Sequence, residues 1–285
     1  MLTRTTEGQL AQHKFHRTPL VWLEGPTDYP IFLPLEDELE FTAKWAGGVV
    51  ECQKLAREMV KDDLPYVVVM DGDYGILRGK AGRQGSHDRV IVLRRHSIEN
   101  YFAEAELVDT LCRSFSEGKI AKGVVGPKFD ELVVRLEEDL WDLIVLDIAS
   151  EGTAAKVVPK SIKSLLKRQT PPVIDRARVQ SHVERVRRTR TNGRDEIGAD
   201  DLLRKFVARR RFIDIVRGHW VLELIQCFVV GELRDAGGKA PTLHTKALRT
   251  ALAPWMWRDR VSRDHAELRE GLTRAIGQVR AARGL

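Results

Sequence analysis

The sequence predicts an α/β fold in which a parallel sheet in the N-terminal part is followed by a mainly α-helical C-terminal part. In the first 102 residues, short runs rich in β-branched and aromatic residues alternate with helical stretches, as in βαβ units. From Ala103 onward, apolar residues recur at the spacing of amphipathic helices. We therefore expect one domain over residues 1–105 and a helical region over residues 106–285.

Four strand-like runs define the predicted sheet, and they cover residues 20–25, 38–47, 66–73 and 89–95. Between the second and third runs, one predicted helical face carries the apolar residues Cys52, Leu55, Ala56, Met59 and Val60. A strand, a helix and a strand at this spacing predict parallel pairing. The third run, YVVVM, has no polar alternation, which is typical of a central strand covered on both faces.

The second half is expected to contain several further helices. The segments with helical spacing are residues 107–115, 132–144, 161–169, 201–207 and 219–229. Charge is concentrated in this half, because the stretch from Lys156 to Arg217 has 18 basic and 7 acidic residues. The net charge of that stretch is therefore +11. Because the whole chain has a net charge of +6, the remaining residues together carry −5.

Composition places the chain among ordinary globular proteins. Its 285 residues, 43% of them hydrophobic, can bury a substantial core, and a net charge of +6 identifies no partner. The three cysteines are far apart and odd in number, so they cannot form a closed disulfide framework, and a reducing cytoplasm fits best. The longest apolar run, residues 221–230, is too short to cross a bilayer, and we expect no membrane association.

Acidic residues follow three of the four predicted strands. Glu24 ends the first run with Asp28 four residues later, Asp71 and Asp73 end the third, and Glu99 follows the fourth. The carboxyl ends of neighbouring parallel strands open onto one crevice, so these acids are expected to converge. Clustered carboxylates repel one another unless a cation neutralises them, and oxygen ligands suit Mg²⁺ or Mn²⁺. The sequence therefore predicts a site for such an ion.

Each acid also has a simpler structural interpretation. Asp71-Gly72 is a common turn dipeptide, and Glu24 stands in a Glu-Gly-Pro turn. Asp28 could cap the helix that follows it, and Glu99 and Asn100 could cap a helix beginning near Tyr101. Because the acids follow separate strands of one predicted sheet, we favour a metal site over these structural interpretations.

Two pairs of motifs resemble a known family. An apolar strand into Glu24-Gly25 and another into Asp71-Gly72-Asp73 resemble the TOPRIM domain of topoisomerases, primases and OLD nucleases (overcoming lysogenization defect). The sequences EGPTD at residues 24–28 and SIENY at residues 97–101 are similar to an OLD-like TOPRIM family that includes the effector subunit of PARIS-type anti-phage systems. The resemblance covers residues 20–102 and continues weakly into the Arg-Gly-His sequence at residues 217–219.

The resemblance implies metal-dependent phosphodiester cleavage. In such enzymes the positions of Glu24, Asp71 and Asp73 hold a cation that polarises the phosphate and activates water, and Glu24 can double as general acid or base. Asp28 and Glu99 match the acids that allow a second cation. His219 would contact phosphate or a metal-bound water, although a structural histidine is an equal alternative.

Basic residues are the candidate contacts to nucleic acid. The predicted binding residues are Arg78 and Lys80 in a glycine-rich loop over residues 75–89, and Arg187, Arg188, Arg190 and Arg210 in the basic stretch. The glycine-rich loop lacks the spacing and the hydroxyl residue of a P-loop. Sparse aromatic residues in the basic stretch favour duplex or structured RNA over single-strand stacking. Solvated helix faces and an acidic protein partner are the alternatives.

Two functional hypotheses follow. The first is a Mg²⁺- or Mn²⁺-dependent nuclease that cleaves RNA, including tRNA, or DNA as a toxic anti-phage effector. The resemblance implies that it would act as a homodimer and be controlled by a separate ABC-type ATPase. The second is a non-catalytic, TOPRIM-shaped binding or sensor subunit.

Overall fold

A computed structural model describes residue 8 and residues 16–79, 87–153, 157–189, 194–237, 242–258 and 261–284. These residues divide into two compact units that alternate along the chain. The first unit holds the chain up to Gly72, residues 79–94 and the C-terminal part from Arg249. The second unit holds residues 73–78 and 95–248. The sequence-based boundary near residue 105 stays a prediction.

A four-stranded sheet forms the centre of the first unit. Its strands are β1 (Leu20–Leu23), β2 (Thr42–Trp45), β3 (Tyr66–Met70) and β4 (Val90–Val92). They lie in the order β2-β1-β3-β4, and every neighbouring pair is parallel. This arrangement confirms the predicted α/β class and parallel sheet, and β3 is buried along its whole length as expected of a central strand.

The second predicted strand is too long at its N-terminal end. The prediction began at Glu38, but helix α1 (Tyr29–Leu39) includes that residue, and β2 begins only at Thr42. Glu40 has a left-handed backbone conformation, with φ of 46°, which ends the helix. The strand-like composition of this run therefore belongs to a helix end, a turn and a short strand.

Helix α2 (Val49–Asp62) packs against one face of the sheet, as the apolar spacing predicted. Cys52, Leu55, Ala56 and Met59 are buried in a core that also contains Trp22 of β1 and Tyr66, Val68 and Met70 of β3. Val60, the fifth residue of the predicted face, is exposed instead.

The C-terminal helices complete the first unit. Helix α8 (Thr245–Arg258) belongs to this unit from Arg249 onward, helix α9 (Arg263–Arg283) belongs to it throughout, and α9 contacts β3 and β4. The Trp257 indole donates a hydrogen bond of 2.6 Å to the Ile31 carbonyl of α1. Arg280 donates to the Leu39 carbonyl at 2.8 Å. The sheet is therefore covered by residues from both ends of the described chain.

The second unit is mainly helical, as predicted. Its helices are α3 (Ala105–Phe115), α4 (Val125–Ala149), α5 (Arg176–Thr189), α6 (Arg194–Val207) and α7 (Gly218–Asp235). It also contains the antiparallel strands β5 (Leu166–Gln169) and β6 (Pro172–Ile174). Across the described part of the chain, no helix is both long and apolar enough to cross a membrane.

Two local predictions in the second unit are wrong. Residues 161–169, predicted as a helix, form a 3₁₀ helix (Ile162–Leu165) followed by β5. Pro171 and Pro172 follow this segment and disfavour helical backbone before them. The start of the predicted glycine-rich loop is also structured, because a 3₁₀ helix spans Asp73–Arg78.

Candidate functional site

The strand order creates a switch point between β1 and β3. The chain passes from β1 to β2 on one side and then returns to place β3 on the other side of β1. In open parallel sheets, ligands bind outside the carboxyl ends of the strands at such a point. Glu24 directly follows β1, and Asp71 directly follows β3. The Asp71 amide donates a 2.9 Å hydrogen bond to Glu24 Oε1, so the Glu24 carboxylate lies against the backbone of Asp71 there.

Asp28 belongs to the same turn as Glu24. Its carboxylate accepts hydrogen bonds from the Gly25 amide at 2.9 Å and from the Thr27 hydroxyl at 3.2 Å. Asp28 occupies the residue before α1, but its side chain makes no capping hydrogen bond to that helix. The capping interpretation of Asp28 is therefore wrong, and the carboxylate instead turns back toward the loop that carries Glu24.

The Cys52 thiol reports the charge at this sheet edge. Cys52 is buried in α2, and its thiol faces the Val69 carbonyl at 3.6 Å. Burial is the main cause that raises its pKa, and the negative charges of Glu24, Asp71 and Asp28 raise it further. Three carboxylates therefore act on one buried thiol from the carboxyl ends of two strands.

The donor atoms of this acid cluster, which we define as Glu24, Asp28 and Asp71, fit a hard cation. Mg²⁺ is usually bound through one or two carboxylates and keeps several waters, so it does not need a complete cage of protein ligands. Within the described residues, no three or more His, Cys, Asp or Glu side chains are grouped so that together they could hold a metal ion. The acid cluster thus supplies oxygen ligands of the right chemistry for an ion that also coordinates water and phosphate.

Asp73 lies two residues beyond Asp71 and belongs to the second unit. Its backbone is left-handed, with φ of 42°, and its amide donates to the His96 carbonyl at 2.9 Å. The side chain is 52% exposed, and its Oδ1 lies 4.0 Å from His96 Nδ1. Desolvation by surrounding protein raises the pKa of Asp73, and the charge of Glu151 adds to this while Arg217 opposes it.

Glu99 lies in a tightly packed turn of the second unit. It is 7% exposed and accepts a 2.8 Å hydrogen bond from the Ser97 hydroxyl. Asn100 carries the capping role considered for this turn, because its side-chain oxygen accepts from the Ser97 amide at 2.9 Å. The Asn100 amide group donates to the carbonyls of Ile213 and Val216, each at 2.7 Å, and fixes the turn to the segment before α7.

Gly218 explains part of the Arg-Gly-His sequence. A Cβ atom at this position would overlap the Ser97 hydroxyl and would lie 2.6 Å from Glu99 Oε2. Glycine is therefore required by the close approach of the start of α7 to the Ser97–Asn100 turn.

A buried polar network surrounds Asp147 of α4. Arg217 donates two 2.7 Å hydrogen bonds to the Asp147 carboxylate, and the Tyr74 hydroxyl donates a third. The His96 ring packs edge-on against Tyr74 with centroids 5.0 Å apart. Burial lowers the pKa of His96 to about 4, with Asp147 opposing the shift and Arg217 and His219 adding to it. His96 is therefore neutral at pH 7.

His219 lies at the exposed start of α7. Desolvation lowers its pKa, although the charge of Glu223 and a hydrogen bond to the Lys160 backbone act in the opposite direction. A neutral imidazole at pH 7 can accept or donate a proton, but it does not supply the permanent positive charge of a lysine.

The predicted nucleic-acid-binding residues have different surroundings. Arg78 is ion-paired with Glu151, and Arg187 with Glu196 at 3.0 Å. Arg188 is 82% exposed and lies 4.0 Å from Glu184. Arg210 is half-buried, and Lys80 and Arg190 lie outside the described residues. Acidic neighbours therefore already neutralise part of the positive charge that was predicted to bind nucleic acid.

Sequence reasoning missed Asp147, Tyr74 and His96. A signal for Asp147 existed, since a single acid interrupts the apolar run LIVLDIA in a helix that is otherwise buried at this end. A charge is buried in that way only when it is paired. No comparable pattern marks Tyr74 or His96, whose roles depend on contacts between distant segments.

No protein-family model matches this chain, and a search of curated proteins found no match.

Proposed function

We propose that the protein is a Mg²⁺- or Mn²⁺-dependent nuclease that hydrolyses phosphodiester bonds of RNA or DNA. The observation that carries the proposal is the meeting of Glu24 and Asp71 at the switch point of a parallel sheet. Asp28 adds a third carboxylate, and the TOPRIM resemblance rests on the same residues. Asp73 and Glu99 stay predictions as further ligands, and His219 as a further catalytic residue.

Each member of the acid cluster has a definable role in such a reaction. The Asp71 amide holds one oxygen of Glu24, which leaves the orientation of the carboxylate fixed. Glu24 is the candidate base that accepts a proton from water, while Asp71 and Asp28 bind the cation. A bound divalent ion would polarise the scissile phosphate and lower the pKa of water.

The defence role, the partner ATPase and the active homodimer are carried by the resemblance to the OLD-like TOPRIM family. That resemblance is carried by the sequences EGPTD at residues 24–28 and SIENY at residues 97–101. The substrate is RNA, including tRNA, or DNA, and the few aromatic residues of the basic stretch favour duplex or structured RNA over single strands bound by stacking.

The test is a cleavage assay on purified protein with tRNA, plasmid and single-stranded DNA, each in Mg²⁺, Mn²⁺ or EDTA. We expect cleavage of at least one substrate that EDTA abolishes. Glu24→Gln should reduce the rate by about 100-fold or more, since a group acting on the reacting atoms contributes on this order. The matched control is Glu51→Gln, which removes an acid of α2 that pairs with Lys54 at 2.9 Å.

Cleavage by Glu24→Gln at the rate of the wild type would refute the proposal. A specific observation favours the alternative of a non-catalytic binding module: Glu24 and Asp28 both accept hydrogen bonds from backbone amides and so have structural roles. Calorimetry separates the two, because a module without a cation site should give the same Mg²⁺ titration for wild type and Asp71→Asn.

A further inference from the structure

An open groove of about 600 Å³ lies in the second unit beside α5. Its volume falls in the range of about 300–1,000 Å³ that is typical of ligand sites. Arg178, Ser181, His182 and Arg185 of α5 line it, and Asp175 is a further lining residue. The groove is separate from every residue that the acid cluster or the Asp147 network uses.

Arg178, Ser181, His182 and Arg185 share one face of α5. Their positions are i, i+3, i+4 and i+7, which fall on the same side of an α-helix. The opposite side of α5 is apolar, with Val179 and Val183 buried. The helix is thus held by its apolar side and presents a polar, cationic stripe to the groove.

Hydrogen bonds hold Arg185 in place without neutralising it. His182 Nε2 donates to the Val157 carbonyl at 2.6 Å, so Nδ1 is the unprotonated nitrogen, and it accepts from Arg185 at 2.6 Å. An imidazole in this tautomer is uncharged. Among the described residues no carboxylate pairs with Arg185, in contrast to Arg187 and Arg78.

Arg178 and Ser181 extend the same stripe. Arg178 is 58% exposed, and it pairs with Asp175 through Nε at 3.0 Å and with the Leu166 carbonyl through Nη1 at 3.1 Å. Its Nη2 group therefore has donors to spare. The Asp175 carboxylate contacts the Arg178 guanidinium and also accepts a 3.1 Å hydrogen bond from the Arg178 backbone amide.

We infer that this groove binds consecutive phosphate groups of a nucleic-acid strand. Seven residues separate Arg178 from Arg185, which corresponds to about 10 Å along the helix axis. A strand carries one charge per roughly 3.4 Å of axis, so two arginine forks at this spacing match several phosphates better than one isolated phosphate ion. The choice of ligand rests on the proposed function, and the inference assigns substrate binding to Arg178 and Arg185.

The test measures binding apart from cleavage. Fluorescence anisotropy with a labelled RNA strand, in EDTA and at several salt concentrations, compares wild type with Arg185→Glu. We expect at least about fivefold weaker binding and a slope of log affinity against log salt that is smaller by about 0.7–0.9, the contribution of one phosphate contact. Arg135→Glu is the matched control, because it makes the same charge change at an exposed residue of α4 in the same unit.

His182 is a positioning residue in this inference, and a double-mutant cycle tests it. His182→Leu should weaken binding, while His182→Gln should keep more of it because an amide can both donate and accept. In the Arg185→Ala background, neither change should have a further effect. An equal loss in both backgrounds would overturn the positioning role.

The inference is overturned if Arg185→Glu and Arg135→Glu bind RNA equally, or if inorganic phosphate competes as strongly as an unlabelled strand. These outcomes are independent of catalysis, because binding is measured in EDTA, where no metal-dependent cleavage occurs. Loss of cleavage in Glu24→Gln with unaltered binding in Arg185→Glu would reject the groove and keep the nuclease. If Arg185→Glu binds RNA more weakly and the wild type does not cleave any substrate, the groove is kept and the nuclease is rejected.

Discussion

The carboxylates of the acid cluster in the first unit and the carboxylate of Asp147 in the second unit have opposite surroundings. Asp147 is buried, and its carboxylate accepts two hydrogen bonds from Arg217 and one from the Tyr74 hydroxyl. Glu24, Asp28 and Asp71 gather at the ends of adjacent strands, and their charges jointly raise the pKa of one buried thiol. The first arrangement satisfies a charge inside the protein, while the second concentrates charge where a ligand of the opposite sign can bind.

The largest effect is expected from Asp147→Ala. It leaves Arg217 without its partner in a half-buried position, and breaking a buried pair in this way costs about 3–5 kcal/mol. Urea unfolding measures the change, with Asp142→Ala, an exposed acid of the same helix, as control. If the comparison is right, Glu24→Gln should change the free energy of unfolding by less than about 1 kcal/mol, because functional acids are often neutral or unfavourable for stability.

Acid should destabilise the protein through His96. Its pKa is about 4 in the folded protein against 6.5 as the ordinary value, so between these pH values the unfolded chain binds a proton that the folded chain does not. The free energy of unfolding therefore falls as pH decreases from 6.5 to 4, by about 3 kcal/mol at most. The raised pKa of Asp73 has the opposite sign, so unfolding of the wild type is compared with that of His96→Gln. Parallel pH profiles for the two proteins would contradict the assignment.

Mg²⁺ should stabilise the first unit if the acid cluster binds it. At a concentration 100 times Kd, one ion raises the free energy of unfolding by about 2.7 kcal/mol. Asp71→Asn should lose most of this increment, whereas Asp37→Asn, which alters an exposed acid of α1, should retain it. Unfolding in Mg²⁺ and in EDTA measures both, and equal increments in the two variants would reject the site.

The two motif glycines should differ in their tolerance of alanine. A Cβ on Gly25 would lie 3.5 Å from Thr27 Oγ1, which is ordinary contact, so Gly25→Ala should cost less than about 1 kcal/mol. A Cβ on Gly218 would overlap Ser97, and overpacking of this kind costs about 1–3 kcal/mol. Similar thermal unfolding of the two variants would show that the turn at Ser97 can relax.

Parts of this molecule were predictable because they depend on local pattern. The helical face of α2 and the fully apolar strand β3 follow from spacing alone, and acids after strands follow from the topology of parallel sheets. Residues 161–169 were wrongly predicted because their helical spacing is overridden by pairing with β6 and by the prolines that follow. The Asp147 network joins residues 74, 96, 147 and 217, and no local pattern encodes contacts at such separations.

The order of the strands in the sheet could not be predicted from the sequence, although the position of the site depends on it. Glu24 and Asp71 could have followed strands at opposite edges of the sheet and still shown the same motifs. The register that pairs Leu20 with both Thr42 and Tyr66 places β1 between β2 and β3, and so brings the two acids together.

The interleaved order of the two units has a consequence for synthesis on the ribosome. The sheet that carries the acid cluster packs against α9, whose last residue is Arg283, so this unit cannot be completed until that helix has emerged from the exit tunnel. The intervening segment, residues 95–248, can collect its own contacts earlier.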